Sequence, residues 1–178
     1  MVGAELGMAK PEELEAAKAQ AVASRSYAHC KIGSKPGAGY DIEASVSEQA
    51  FDPAKASPTV LKAVRQTEGM VLTCGGRVVA ANYHSTCGGR TALASEAWTA
   101  DDRSFPFIKS VKDGYCDISP RFSWRDSFPS TDIALRLLDT GLAVDDVAVT
   151  ARGPSGRAVA LRVSAQTCDT TLYRDRIR

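Results

Sequence analysis

The chain has 178 residues, 44% of them hydrophobic and 24% charged, with a formal charge of +1. That length and balance can supply one real core, so a single domain over residues 1–178 is the default organisation. Acids and bases are interspersed, which argues against nucleic acid or an anionic membrane as partner and leaves a neutral polymer or a small molecule as the better fit.

The opening residues MVGAELGMAK have no basic segment followed by an apolar core, and no later run approaches the roughly 20 apolar residues needed to cross a bilayer. No export signal or anchor is therefore expected within this stretch. Pro11 to about Tyr27 predicts a helix: Pro at its first turn, acids at Glu12, Glu13 and Glu15, and alanines throughout. Leu14, Ala17, Ala21 and Val22 share one face, and such small side chains let another backbone come close. Residues 31–58 are rich in Gly and Pro and predict a surface excursion, with a short extended piece at Tyr40 to Ser45. Ser57 can cap a second helix over Pro58 to Gln66, which Gly69 ends.

Met70 to Cys74 and Arg77 to His84 are apolar runs around Gly75-Gly76, the dipeptide suited to two positive φ angles, and predict a hairpin. A loop follows from Ser85 to Arg90, then a strand at Phe107 to Val111. STDIALRLLDTG predicts a helix capped by Ser130 or Thr131 and stopped by Gly141. The stretch from Val144 to Gln166 alternates on either side of Gly153-Pro154-Ser155-Gly156, which reads as two strands and a turn. Helices and hairpins without βαβ alternation make the class α+β.

Two stretches carry chemistry. Glu5 stands among Val2, Leu6 and Met8, and a carboxyl held against apolar groups has its pKa raised, as a general acid requires. By itself Glu5 also fits a solvated acid ahead of a helix. In Tyr83-His84-Ser85-Thr86-Cys87-Gly88-Gly89-Arg90-Thr91, polar and nucleophilic side chains meet two glycines that permit close backbone approach. Plain readings are a disulfide-bonded Cys, a His at a strand end and a glycine turn. A nucleophilic Cys87 or Ser85 with His84 as base is disfavoured, because neighbours in an extended strand face opposite ways. His29-Cys30 is weaker still. A metal site of His84, Cys87 and Cys116 has thin support, with only two histidines in the chain. Glu96 and Trp98 follow the loop, and Trp98 suits either core packing or a sugar face. Five cysteines, none in a Cys-x-x-Cys pair, suit either long-range disulfides or buried thiols.

GAELG followed by EELEAAKAQAVASRSYA, and GMVLTCGGRVVAANYHSTCGGRTALASEAW followed by FPFIKSVKD, together resemble the stage II sporulation protein D and amidase-enhancer family over about Val2 to Val111. The resemblance implies a peptidoglycan lytic transglycosylase that cleaves denuded glycan strands, with Glu5 as its single catalytic acid and base. Such an enzyme manages with one carboxylate because the C6 hydroxyl of the muramic acid ring is the attacking group, giving 1,6-anhydro ends. It further implies that Tyr83, His84, Ser85, Thr86, Gly88, Gly89 and Thr91, with Glu96 and Trp98, line the glycan groove. An exported protein of the cell envelope or periplasm follows, with an N-acetylmuramoyl-L-alanine amidase as a further partner and no cofactor. The alternative on the same fold is a non-catalytic wall-binding or amidase-enhancing module. Some members carry a Cys-x4-His-Cys zinc cluster after a Tyr-Asp pair. Here Tyr40-Asp41 is followed by Glu43, Ser47 and Glu48, so no metal is expected there. Cys87 stands where many members have Ser, and a Cys87–Cys116 disulfide is the pairing expected of an exported variant. The family's later GHGVGMSQ signature is absent, so part of the family domain is expected to be missing.

Overall fold

The computed structural model describes residues 1–45, 47–138, 143–166 and 168–177. It is α+β, as expected: helices accompany a two-stranded and a three-stranded antiparallel sheet. The chain divides into two compact units, Met1–Tyr83 and His84–Arg178. Among the described residues no helix is long and apolar enough to cross a membrane.

The first unit is built on alanines. Helix α1 (Val2–Leu6), helix α2 (Leu14–Lys31) and helix α3 (Pro58–Gln66) bury Val2, Ala9, Ala17, Ala21, Val60 and Ala63 together, with Leu14 packed alongside. Side chains that short let three helices meet with little shape matching to be done. The Pro11 segment enters α2 through one 3₁₀ turn, Pro11–Glu13, and α2 runs four residues past Tyr27. Val22 is only half-buried, and Ser24 and Ser26 are buried in addition to the expected alanines. The Ser57 hydroxyl caps α3 by accepting from the Val60 N–H at 3.3 Å, and Gly69 follows the helix at φ 72°.

The hairpin turn forms as the sequence indicates, with Gly75 and Gly76 at φ 57° and 76°. Its strands are much shorter than the apolar runs: β1 is Thr73–Cys74 and β2 is Arg77–Val78. Helix α2 is the reason. Ser26 Oγ accepts the Leu72 N–H at 2.8 Å, and Arg25 Nη1 donates to the carbonyls of Thr67 and Met70, both at 2.7 Å. Backbone groups committed to a helix's side chains cannot extend a ladder. The expected extended piece at Tyr40 to Ser45 is likewise a loop. Gly33 N–H donates to Asp41 Oδ1 at 2.9 Å, and Lys35 pairs with Glu43 and Glu48 at 2.8 and 3.1 Å. The Glu43 N–H and the Lys35 ammonium hold the Glu48 carboxyl below its ordinary value.

In the second unit, helix α4 (Ala94–Ala97) precedes helix α5 (Ser130–Leu138) and a meander of β3 (Val144–Arg152), β4 (Ala158–Ala165) and β5 (Cys168–Tyr173). Register runs Val147↔Val163 and Val163↔Thr170, with β4 in the centre. Ala134, Val144, Val163 and Leu172 form the core, flanked by Ile133, Leu137, Leu138, Leu161 and Ile177. Strand β5 was not anticipated, because CDTTLY buries Leu172 amid polar residues and shows little apolar alternation. The expected strand at Phe107 to Val111 is instead irregular chain that meets residues 89–91 through one bridge, Arg90↔Lys112. Ser130 is the first residue of α5 rather than its cap, since the Pro129 carbonyl already accepts from Asp132 and Ile133. The expected stop at Gly141 lies outside the described residues.

Candidate functional site

In the first unit, Glu5 sits on α1, itself a single turn whose Met1 carbonyl accepts from the N–H groups of Ala4 and Glu5 at 2.9 and 3.1 Å. What locates this turn is Gly3. A Cβ there would lie 2.0 Å from the Lys55 carbonyl oxygen, so α1 rests on the 3₁₀ turn Pro53–Lys55 at a distance only glycine permits. The Ser57 hydroxyl also donates to the Ala9 carbonyl at 3.2 Å, tying the chain beyond α1 to the start of α3. Glu5 is exposed. The apolar surround expected for it is incomplete: Val2 is buried, but Leu6 and Met8 are 41% and 73% exposed.

Tyr83 closes the first unit and its hydroxyl is buried without a hydrogen bond of normal geometry among the described residues. Burial pushes its phenol above the ordinary value, and the Glu5 carboxylate nearby adds to the shift. The Ser24 and Gln20 side chains work the other way. Within the first unit, Tyr83 is thus an expected groove residue that lies beside Glu5.

The remaining expected residues belong to the second unit, where the loop Thr86–Thr91 is held from three sides. Thr86 Oγ1 shares a hydrogen bond with Ser119 Oγ at 2.7 Å. The Thr91 hydroxyl donates to the Lys109 carbonyl at 2.6 Å and accepts the Val111 N–H at 2.9 Å. The Gly89 carbonyl accepts from the Asp113 N–H at 3.0 Å. Arg157, at the entrance to β4, forks onto the carbonyl of Arg90 at 2.8 Å and onto the carbonyl of Cys87. Gly88 and Gly89 take φ 68° and 93°, a conformation that a side chain would strain.

Two of the expected residues are engaged inside their own unit. Thr91 uses its hydroxyl proton on the Lys109 carbonyl and one lone pair on the Val111 N–H, which shapes the loop backbone. Glu96 is only 4% exposed. Its Oε2 accepts the Leu93 N–H at 2.8 Å, while Oε1 accepts the Ser155 N–H and hydroxyl at 2.8 and 2.7 Å. Burial opposes its ionisation, but the Ser155 hydroxyl, the two N–H groups and the Arg157 charge outweigh that and hold the carboxyl below its ordinary value. A Cβ on Gly153 would come within 2.2 Å of Glu96 Oε1, so the turn before β4 needs glycine to admit this carboxylate. Both oxygens are used, which makes Glu96 a structural tie. His84, Ser85 and Gly88 are exposed, and Trp98 is 39% exposed. Sequence reasoning missed Asp113, Ser119 and Arg157, which hold the loop from 26 to 70 residues away along the chain, and Ser155, which ties down Glu96.

Cys87 is buried. Its thiol donates to Asp113 Oδ2 at 3.0 Å, and its sulfur lies 3.3 Å from that of Cys116. The Asp113 carboxylate and burial push the Cys87 thiol up to about 11. That direction is opposite to what a nucleophile at neutral pH needs, and the thiol's partner is a carboxylate rather than the imidazole of His84. A thiol hydrolase is therefore not supported. Ligand atoms of Cys87, Asp113 and Cys116 lie within 4.8 Å of one another, a second site at which an ion could be considered besides the Tyr40–Glu48 segment. Structural zinc takes four protein ligands, and this group offers three among the described residues.

The family model described as "SpoIID: Stage II sporulation protein" matches residues 1–74, which include Glu5 and the start of the hairpin. The amidase enhancer of Bacillus subtilis (strain 168) is 30% identical over 126 residues, or 71% of this chain and 16% of that protein. The stage II sporulation protein D of the same organism is 30% identical over 91 residues, 49% of this chain and 26% of that protein. The protein of that name from Bacillus amyloliquefaciens is 29% identical over 172 residues, 86% of this chain and 48% of that protein. The chain thus spans less than half the length of these curated relatives.

Proposed function

We propose a function from the premise that the chain belongs to the stage II sporulation protein D and amidase-enhancer family: it acts on the bacterial cell wall, outside the cytoplasm, by cleaving glycan strands of peptidoglycan. Glu5 is the acid and base. It first protonates the glycosidic oxygen as that bond breaks, then removes the proton from the C6 hydroxyl of the muramic acid ring, which closes onto C1 to give a 1,6-anhydro end. One carboxylate suffices because the second nucleophile is carried by the substrate and held in place by the ring itself.

The observation that carries this reading is an exposed carboxylate on a turn that Gly3 and Ser57 hold in position, with the buried Tyr83 hydroxyl at its side. A mobile surface acid would need neither of those constraints. The exposed His84, Ser85, Gly88 and Trp98 are the residues we assign to sugar contacts. In the full-length protein, Glu5→Gln should lower release of anhydro-muramic ends from denuded glycan by about 10²–10⁴-fold, the usual contribution of a general acid. Activity retained at the wild-type level refutes the assignment.

A relative named amidase enhancer, matched over 71% of this chain, favours a second reading in which the fold binds the wall and stimulates an N-acetylmuramoyl-L-alanine amidase without cutting glycan. Under that reading Glu5→Gln leaves both binding to intact peptidoglycan and amidase stimulation unchanged, and the wild type releases no anhydro ends.

A further inference from the structure

We propose that Cys87 and Cys116 are a redox pair whose disulfide closes under oxidising conditions and staples the Thr86–Thr91 loop to the segment 109–118, with Asp113 controlling how fast it closes. The inference stands independently of whether Glu5 cleaves glycan.

Three features of the second unit carry it. The two sulfurs are 3.3 Å apart, so bond formation at about 2.05 Å needs a shift of roughly 1.3 Å, within the reach of small side-chain rotations. The backbones on either side are already tied together, by Asp113 N–H to the Gly89 carbonyl and Thr91 N–H to the Val111 carbonyl, both at 3.0 Å, and by Thr86 to Ser119. Loop closure has therefore been accomplished before the bond forms. Finally, the sulfurs differ in access, Cys87 being buried and Cys116 half-buried. That difference sets the order of events.

With a small organic disulfide as oxidant, the Cys116 thiolate attacks one of its sulfurs. The oxidant's S–S bond breaks, and one thiol leaves after taking up a proton. The Cys87 thiol then gives up its proton, and its sulfur attacks Cys116 Sγ in the mixed disulfide, releasing the second thiol. Two protein thiols and one disulfide become one protein disulfide and two small thiols. The second step is the slow one, because Asp113 accepts the Cys87 proton in a hydrogen bond and its negative charge opposes the thiolate. Asp113→Asn removes that charge while keeping an Oδ1 that can accept the Tyr115 N–H, now bound at 2.9 Å.

The test equilibrates the whole chain in glutathione disulfide, alkylates the free thiols at timed intervals and maps the linked peptides by mass spectrometry. We expect a Cys87–Cys116 linkage while Cys30 and Cys74 stay alkylatable, none in Cys116→Ser, and faster closure in Asp113→Asn. Thiolate population rises as pKa falls while nucleophilicity declines, so the gain is about threefold per pKa unit. Both thiols remaining free, or either pairing with Cys30, Cys74 or Cys168, would overturn the pair. Closure in Asp113→Asn at or below the wild-type rate would overturn the role given to Asp113. Stoichiometric zinc held by the reduced protein after dialysis against zinc sulfate, and lost in Cys116→Ser, would replace the redox pair with a metal site.

Discussion

Replacing Glu96 tests whether this acid is a structural tie or a sugar ligand. Its carboxylate accepts three hydrogen bonds, from the Leu93 N–H, the Ser155 N–H and the Ser155 hydroxyl, at 2.7–2.8 Å. A hydrogen bond to a charged group contributes about 1.5–3 kcal/mol, but the three share one side chain and cannot be summed. Glu96→Ala should therefore cost roughly 3–4 kcal/mol. Glu96→Gln is the sharper perturbation, because an amide has one acceptor and one donor end. Whichever way it turns, an NH₂ group faces an N–H donor, and about 2 kcal/mol is lost despite equal size. Both tryptophans, Trp98 and Trp124, lie in the second unit, so their fluorescence during urea unfolding reports that unit selectively. At a slope of about 1–1.5 kcal/mol/M, the midpoint should fall by about 1.3–2 M in Glu96→Gln. An unchanged midpoint, with weakened glycan binding by the folded variant, would refute the reasoning and return Glu96 to the ligand groove.

Gly3→Ala should displace α1 from the Lys55 carbonyl and lower glycan cleavage, while the tryptophan-detected midpoint of the second unit stays at its wild-type value. Normal cleavage by that variant would mean that the turn carrying Glu5 need not be held. Glu96 and Asp113 are both held below their ordinary values of 4.5 and 3.8, so each contributes stability that is complete above those values and is lost as pH falls through the lower folded ones. The urea midpoint should be flat from about pH 7 to 5 and drop below that, less steeply in Glu96→Gln. A midpoint rising on acidification contradicts this. Closing Cys87–Cys116 spans 29 residues and on chain-entropy grounds stabilises by up to ~3.6 kcal/mol. Unfolding of the second unit should therefore need more urea in oxidised than in reduced protein, with Cys116→Ser insensitive to reductant.

Local chemistry made much of the chain legible from sequence. Ser57 and Pro58 announce α3 because a cap and a fixed φ act within one turn, and Gly75-Gly76 announces the hairpin because few other residues accept its φ angles. Alternation exposes β3 and β4 around the Gly153–Gly156 turn, and two separated motifs disclose the family. Tertiary structure alone decided where long-range partners intervene. Ser26 and Arg25 claim backbone groups of the first hairpin arm, so the apolar run that reads as a long strand pairs over only two residues there. Glu96 looked available to a sugar until Ser155, 59 residues later, filled its Oε1. Cys116 is the partner that the family resemblance implied for Cys87, but the Asp113 carboxylate that takes the Cys87 thiol proton was not foreseen. A side chain's conformational preference is read within a few residues. Its hydrogen-bonding partners depend on which distant segments the packed chain brings alongside, and that distinction separates what this sequence settled from what its fold had to supply.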